Sequence, residues 1–310
     1  MWGITSFFNP AGYQSRIANY RVFRSRLKVP LVAVELSFTG EFELRGGDAE
    51  ILIQIFGGDV MWQKERLLNL AVGALPRECD LVAWLDCDVV FPSNDWPDRA
   101  RHALKTSALV QLFSERRNLA AGVIDELPGV SSVQTAVPGS AFKFVNGTLR
   151  PEDLCLAGSL LQRRCTNGLG WAASRRLIEA HSFYDARIVG SGDKSIFCAA
   201  IGKFEYCEQA GSMNSRQCEH YRSWALPFFA AVAGRIGYLQ SHILHLWHGE
   251  PRDRQYEQRH SGLRGFDFDP HLDIALDSNS VWRWNSNKPE LHEFIRRYFD
   301  SRREDGRAPG

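Results

Sequence analysis

The chain has 310 residues, 44% hydrophobic and 24% charged, with a formal net charge of +1. That is enough globular chain for one large α/β domain or two modest ones. Near-neutral charge excludes a global field for nucleic acid or an anionic membrane and leaves only local basic patches.

In chain order, residues 3–8 read as an apolar strand closed by the turn Asn9-Pro10-Ala11-Gly12. Residues 15–27 have helical periodicity, 31–36 form a β-branched strand, 37–50 a loop and 51–56 a third strand closed by Gly57-Gly58. A helix is predicted over 62–74 and a buried strand over 81–91. Short apolar strands alternating with helices predict a mostly parallel sheet covered on both faces, with ligands beyond the carboxyl ends of the strands. Further on, the pattern predicts a helix over 98–106, a strand over 110–113, and loops with a hairpin over 114–150. Gly168 to Ala173 leads into a helix ending at His181, and another helix runs over 195–202. A short strand with two histidines spans 243–249, and the helix at 290–303 has an apolar face that should dock. Residues after Glu304 read as disordered.

Leu226 to Ala233 is too short an apolar run to cross a bilayer, and the N-terminus lacks the features of a signal peptide. The seven cysteines form no C-x-x-C pair, which predicts reduced thiols and a cytoplasmic protein.

The stretch from Leu81 to Phe91 carries the chemistry. Asp86 and Asp88, two apart on a strand, would share one face. Two acids there are costly unless a cation lies between them, and a hard divalent ion carrying phosphate suits the pair. The competing reading is a strand ending in a solvated turn. Asp193 follows a Gly-rich turn, where it serves either as a general base or as a helix cap. His245 and His248, three apart on a strand, should face opposite ways, so only one of them, with His245 preferred, can face the acid pair; the competing reading is a core histidine and a surface one.

Three segments resemble a known family. Gly58-Asp59-Val60-Met61-Trp62-Gln63-Lys64-Glu65-Arg66-Leu67-Leu68-Asn69-Leu70 is similar to the G-D-x-x-F-N-R-A-K-L-L-N-V stretch of β-1,4-galactosyltransferases. Leu85 to Asp95 resembles that family's S-D-V-D-L-I-P-M-N-D, and Ile188 to Asp193 stands in the place of its W-G-G-E-D. The wider resemblance is to family-2-like GT-A glycosyltransferases. It implies a GT-A fold, a UDP-sugar donor, and Mn²⁺ or Mg²⁺ as cofactor. By position, it implies Asp88 with His245 or His248 at the metal, Asp86 at the ribose or beside the metal, and Asp193 as catalytic base. Thr5, Ser6, Phe7, Asn9, Gly58, Trp62, Arg66 and Asn69 would contribute to the nucleotide-sugar pocket. Lys194, Arg252, Arg254 and Arg259 are candidates for diphosphate or acceptor contacts. The sequence departs from the family at Gly192, where the family has glutamate, and lacks the acceptor-site tryptophan.

The resulting expectation is a metal-dependent, inverting glycosyltransferase. A catalytic domain over 1–250, its halves meeting near 110, would be followed by an arginine-rich loop and docked helix over 251–310. The acceptor is a saccharide or glycoconjugate. The alternatives are a phage-type enzyme acting on hydroxymethylated DNA, its arginines following the phosphate backbone, and a non-catalytic nucleotide-sugar-binding module. A nucleotidyltransferase would want a Gly-rich, basic signature after the first strand, which Asn9-Pro10-Ala11-Gly12 is not.

Overall fold

A computed structural model of the chain describes residues 1–122, 133–155, 165–256 and 258–306. The strands are β1 Trp2–Phe8, β2 Leu31–Ser37, β3 Ile51–Phe56, β4 Leu81–Leu85, β5 Val89–Val90, β6 Leu109–Gln111, β7 Glu115–Leu119, β8 Val133–Pro138, β9 Gly170–Ser174, β10 Ile236–Tyr238, β11 His242–His245, β12 Ile274–Leu276 and β13 Trp282–Trp284. Seven of them form a central sheet in the order β10-β6-β9-β4-β1-β2-β3. Every neighbouring pair in it is parallel except the two made by β9, which runs antiparallel between β4 and β6. This is the mixed α/β architecture with a mostly parallel sheet that the strand–helix alternation predicts.

The sheet is buried on both faces, and β2 shows how. Val32, Val34 and Leu36 join one apolar cluster, and Leu31 and Ala33 join the other. Alternate side chains of one strand therefore feed two cores. Helices Lys64–Gly73, Arg175–His181, Gly192–Ala200 and Ser215–Val232 pack in the first cluster. Helices Gln14–Arg26 and Trp96–Ala103 pack in the second. A smaller sheet, β5-β11-β7-β8, stands beside the carboxyl end of β4.

Several expectations need correction. The apolar stretch over 81–91 is two short strands in different sheets, separated by a turn at Asp86 to Asp88. Gly170–Ser174, expected to lead into a helix, is a strand at the centre of the sheet, where Ala172 and Ala173 fit under their neighbours because they are small. The 114–150 region does contain an antiparallel pair, β7 with β8, but also a helix at Ser140–Val145. The helix carrying Asp193 begins earlier than expected, at Gly192, so Asp193 lies in its first turn and Ser191 takes the cap position. The docking face of the last helix, Pro289–Ser301, is buried through Leu291, Ile295, Tyr298 and Phe299. The chain beyond it is tied down rather than loose. Asp305 accepts backbone N–H bonds from Gln14 at 3.0 Å and Ser15 at 2.7 Å, where a carboxylate also suits the positive end of helix Gln14–Arg26. Residues 307–310 lie outside the described residues. No helix among the described residues is long and apolar enough to cross a membrane.

Candidate metal and transfer site

The turn after β4 is clamped from two sides. The Asp86 N–H donates to the Leu169 carbonyl at 2.9 Å, and the Leu246 N–H donates to the Asp88 carbonyl at 2.8 Å. The first clamp comes from the segment leading into β9 and the second from the end of β11. Because the acids sit in a turn and not on a strand, they do not share a face. Asp86 pairs with Lys64, while Asp88 faces two histidines.

β11 pairs antiparallel with β5, setting His245 opposite Val89, next to Asp88. The strand ends at His245, so the alternation that would turn His248 away no longer applies. His248 comes back to the same carboxylate. His245 Nε2 lies 3.8 Å and His248 Nδ1 3.4 Å from Asp88 Oδ2. The expectation that only one histidine reaches the site is thus corrected: donor atoms of Asp88, His245 and His248 all lie within 4.8 Å of one another.

Four observations fit this group to a divalent ion. Asp88 Oδ1 is buried without a hydrogen-bond partner, a cost that a bound cation would relieve. His245 Nδ1 lies 2.9 Å from Asn118 Oδ1, whose amide nitrogen is held by Thr135 Oγ1 at 2.6 Å. The ring therefore donates from Nδ1 and keeps an unprotonated Nε2, which lies 3.0 Å from His248 Nε2 and accepts from it. Burial, with Arg254 second, holds His248 well below the usual histidine range, so it too is neutral and ligand-ready. Burial, with Asp86 second, pushes the Asp88 carboxyl up to about 7, a shift a cation would reverse. Two imidazoles and one carboxylate suit a divalent ion that accepts nitrogen ligands.

Lys64 ties this turn to Asp193. Its ammonium contacts Asp86 and also Asp193 Oδ2, the latter at 2.8 Å. Against burial, which would lower it, Asp193 and Asp86 hold Lys64 well above its usual pKa. Burial raises the Asp193 carboxyl above its usual range, and Lys64 opposes part of that rise. Glu65, the next residue, is 2% exposed, and its carboxyl packs on Gly192 so closely that no Cβ fits there. A carboxyl contributed by another helix thus fills the space beside position 192.

Burial, opposed by Lys64, pushes the Glu65 carboxyl from 4.5 to about 8. The folded state then binds the extra proton, so stability falls as pH rises between those values, by at most about 1.4 kcal/mol per pH unit. Glu65→Gln removes that slope. Thermal melts should show the variant level with wild type near pH 4.5 and more stable at pH 8. Parallel pH profiles would refute a neutral Glu65.

Most other candidates lie elsewhere. Thr5 is buried and donates to the Leu85 carbonyl at 2.7 Å, and Phe7 packs edge-on against Tyr20. The Asn9 side chain holds the Tyr13 backbone and Glu43. The Gly58 N–H donates to Asp277, and the residue packs on the Trp282 carbonyl. Arg66 pairs with Asp185 at 3.2 Å, while Asn69 bonds Phe183 and Asp185. These six residues brace the fold and do not line the cavity. Arg252 is exposed outside it.

The cavity, about 270 Å³, does receive Ser6, Trp62, Asp86, Asp88, Asp193, Lys194, His245, His248, Arg254 and Arg259. Trp62 is not an open stacking face: Phe299 stacks on it, Arg302 lies 5.2 Å from its ring, and Gly190 packs against it. Arg254 bonds the His248 carbonyl at 2.7 Å. Eight Lys and Arg side chains line the walls against five Asp and Glu, so the cavity is cationic. Several of these were missed in the sequence, namely Lys64, Arg16, Arg116, Arg187 and Arg302, together with Glu304 and His260. Against burial, Arg16 and Arg302 hold the Glu304 carboxylate below its usual range, which fastens the C-terminal segment into the wall. Such a cavity can bind a polyanion beside a metal and set a carboxylate base across from it.

No protein-family profile and no curated protein matches the sequence. Among solved structures, the chain is similar to S. aureus TarS, with 10% identity and a TM-score of 0.37 over 79% of this chain and 36% of that one. It is also similar to the 4-diphosphocytidyl-2C-methyl-D-erythritol synthase of Anaerococcus prevotii, with 11% identity and a TM-score of 0.31 over 78% of this chain and 86% of that one. The chain spans about a third of the length of TarS, and at these scores neither likeness carries a residue's role to it.

Proposed function

We propose that this chain is a metal-dependent glycosyltransferase of GT-A type, moving a hexose from a UDP-sugar to an acceptor hydroxyl. The observation that carries the reading is the Asp88–His245–His248 group with its unsatisfied Asp88 oxygen, facing a cationic cavity that also contains Asp193. The sheet order supports it: the strands diverge at β1 and β4, and the cavity opens at their carboxyl ends, where open α/β sheets bind ligands.

Asp88, His245 and His248 would hold Mn²⁺, which when bound supplies positive charge against the leaving diphosphate. Arg254, beside His248, neutralises diphosphate charge from the protein side. Asp193 takes the proton of the acceptor hydroxyl, and its ion pair with Lys64 favours the ionised form that does so. A base on the cavity wall opposite the leaving group gives inversion at the anomeric carbon. The C-terminal segment completes the cavity through Arg254, Arg259, Arg302 and Glu304.

A glycan acceptor is preferred over DNA. Arg259 is buried and Arg254 turns inward, leaving Arg252 and Arg264 as exposed arginines of that segment, which makes no strip along a phosphate backbone. The test is UDP release from a UDP-sugar panel with Mn²⁺, with sugars or hydroxymethylated DNA as acceptors. The expected result is Mn²⁺-dependent release stimulated by a sugar. Binding without release identifies a non-catalytic module, and release stimulated by DNA alone overturns the glycan acceptor.

A further inference from the structure

A second cationic wall lies beside Asp193. Arg187 and Arg259 are each 5% exposed, both line the cavity, and neither pairs with a carboxylate among the described residues. Their Nε atoms are buried without partners. A buried guanidinium without a counter-charge is costly. Arg259 donates to Tyr298 Oη at 2.5 Å, and the other contacts the two arginines make form a chain. Arg259 donates to Ser191 Oγ at 3.1 Å, Ser191 Oγ lies 2.9 Å from His260 Nε2, and His260 Nδ1 lies 3.3 Å from Arg187.

The donor count along this chain is lopsided. Arg187 can only donate, so His260 Nδ1 accepts and His260 Nε2 donates to Ser191. Ser191 then accepts twice and keeps its own O–H as a spare donor. Burial, with Arg187 second, holds His260 well below the usual range, in keeping with a neutral ring. The wall presents two guanidiniums and a hydroxyl with no carboxylate to receive them among the described residues; Tyr298 Oη takes one Arg259 N–H and carries no full counter-charge. An oxyanion supplies that counter-charge, and arginine forks match phosphate and carboxylate alike.

We propose that Arg187, Ser191, Arg259 and His260 form an oxyanion subsite on the Asp193 side of the cavity, so that the acceptor is an anionic molecule bearing a phosphate ester or a carboxylate near the hydroxyl that is glycosylated. This rests on the glycosyltransferase reading for the word acceptor, and on the side-chain chain alone for the anion. The subsite is separate from the diphosphate position, which lies at Asp88 and Arg254. Ser191 is two residues from Asp193 in the same helix start, so an anion held there sets its hydroxyl beside the base.

The test is calorimetry on the full chain. UDP is first titrated with Mn²⁺. The UDP–Mn²⁺ complex is then titrated with glycerol 2-phosphate, glucuronate, and the uncharged glycerol and glucose. Wild type should bind at least one anion and neither neutral probe, and whichever anion binds names the source. Arg187→Gln should weaken the anion at least tenfold while UDP affinity changes less than threefold. Ser191→Ala, which removes a donor and no charge, should weaken it about threefold and serves if Arg187→Gln does not fold. No anion binding in wild type, or equal loss of UDP and anion in Arg187→Gln, overturns the subsite. If UDP itself does not bind, the donor reading falls. The anion titration on free protein then judges the subsite by the same criteria.

Discussion

Asp88→Ala is expected to lower Mn²⁺-dependent UDP release by on the order of 100-fold or more, because loss of even an outer partner of a metal ligand costs about 10–100-fold. The variant removes the carboxylate that both histidines face. Its effect on the metal-free fold has the opposite sign. The Asp88 carboxyl is raised from 3.8 to about 7, so the folded state holds a proton the unfolded state has lost, and wild-type stability falls as pH rises between those values. Alanine removes that fall. At pH 7 without metal the variant should melt no lower than wild type, while Mn²⁺ raises the melting temperature of wild type alone. A variant that still responds to Mn²⁺, in melting or turnover, would place the metal elsewhere.

Asp193→Asn is expected to lower kcat by about 10²–10⁴, the range that a positioned general base contributes, with donor KM and Mn²⁺ response unchanged. Asparagine keeps an oxygen for Lys64, and Lys64 keeps Asp86, so the local fold should survive. That separates loss of the base from loss of structure. Transfer within threefold of wild type would remove Asp193 from the chemistry and leave it a partner of Lys64.

The early strands and first helices were legible because each is a continuous apolar run or a clean 3.6-residue pattern, with turn residues between. The centre of the sheet was not. β9 is Gly-Trp-Ala-Ala-Ser, without a β-branched residue, and only the large side chains around it make small residues fit there. Helix Ser215–Val232 was hidden by Pro227 inside it, although the Asn214–Gln217 capping box marks its start.

Asp88, both histidines and Asp193, singled out by residue type and order, line one cavity, whereas several residues singled out by motif likeness do not. Arg66 and Asn69 keep their place in the sequence pattern, yet their helix turns them toward Asp185. Lys64 was legible by physics alone. Residues 64, 67, 68 and 71 fall on one helical face, and all four are buried, so extending the leucine stripe back one turn points the lysine inward. Arg187, Arg259 and His260 come together only through tertiary packing, which no local pattern announces.

The late position of β9 and β11 in the chain governs how this protein comes into being. A growing chain that has reached only β6 already contains Asp86 and Asp88, but β4 still has an open edge and neither clamp on the turn exists. β9 must insert between two strands made long before it, and β11 must then bring the histidines to the acid. Pairings so distant in sequence are slow to form, and an open edge strand invites other chains in the meantime. The Asp88–His245–His248 group is therefore among the last features assembled, and the Mn²⁺ binding proposed for it should appear during refolding only once the whole sheet is complete.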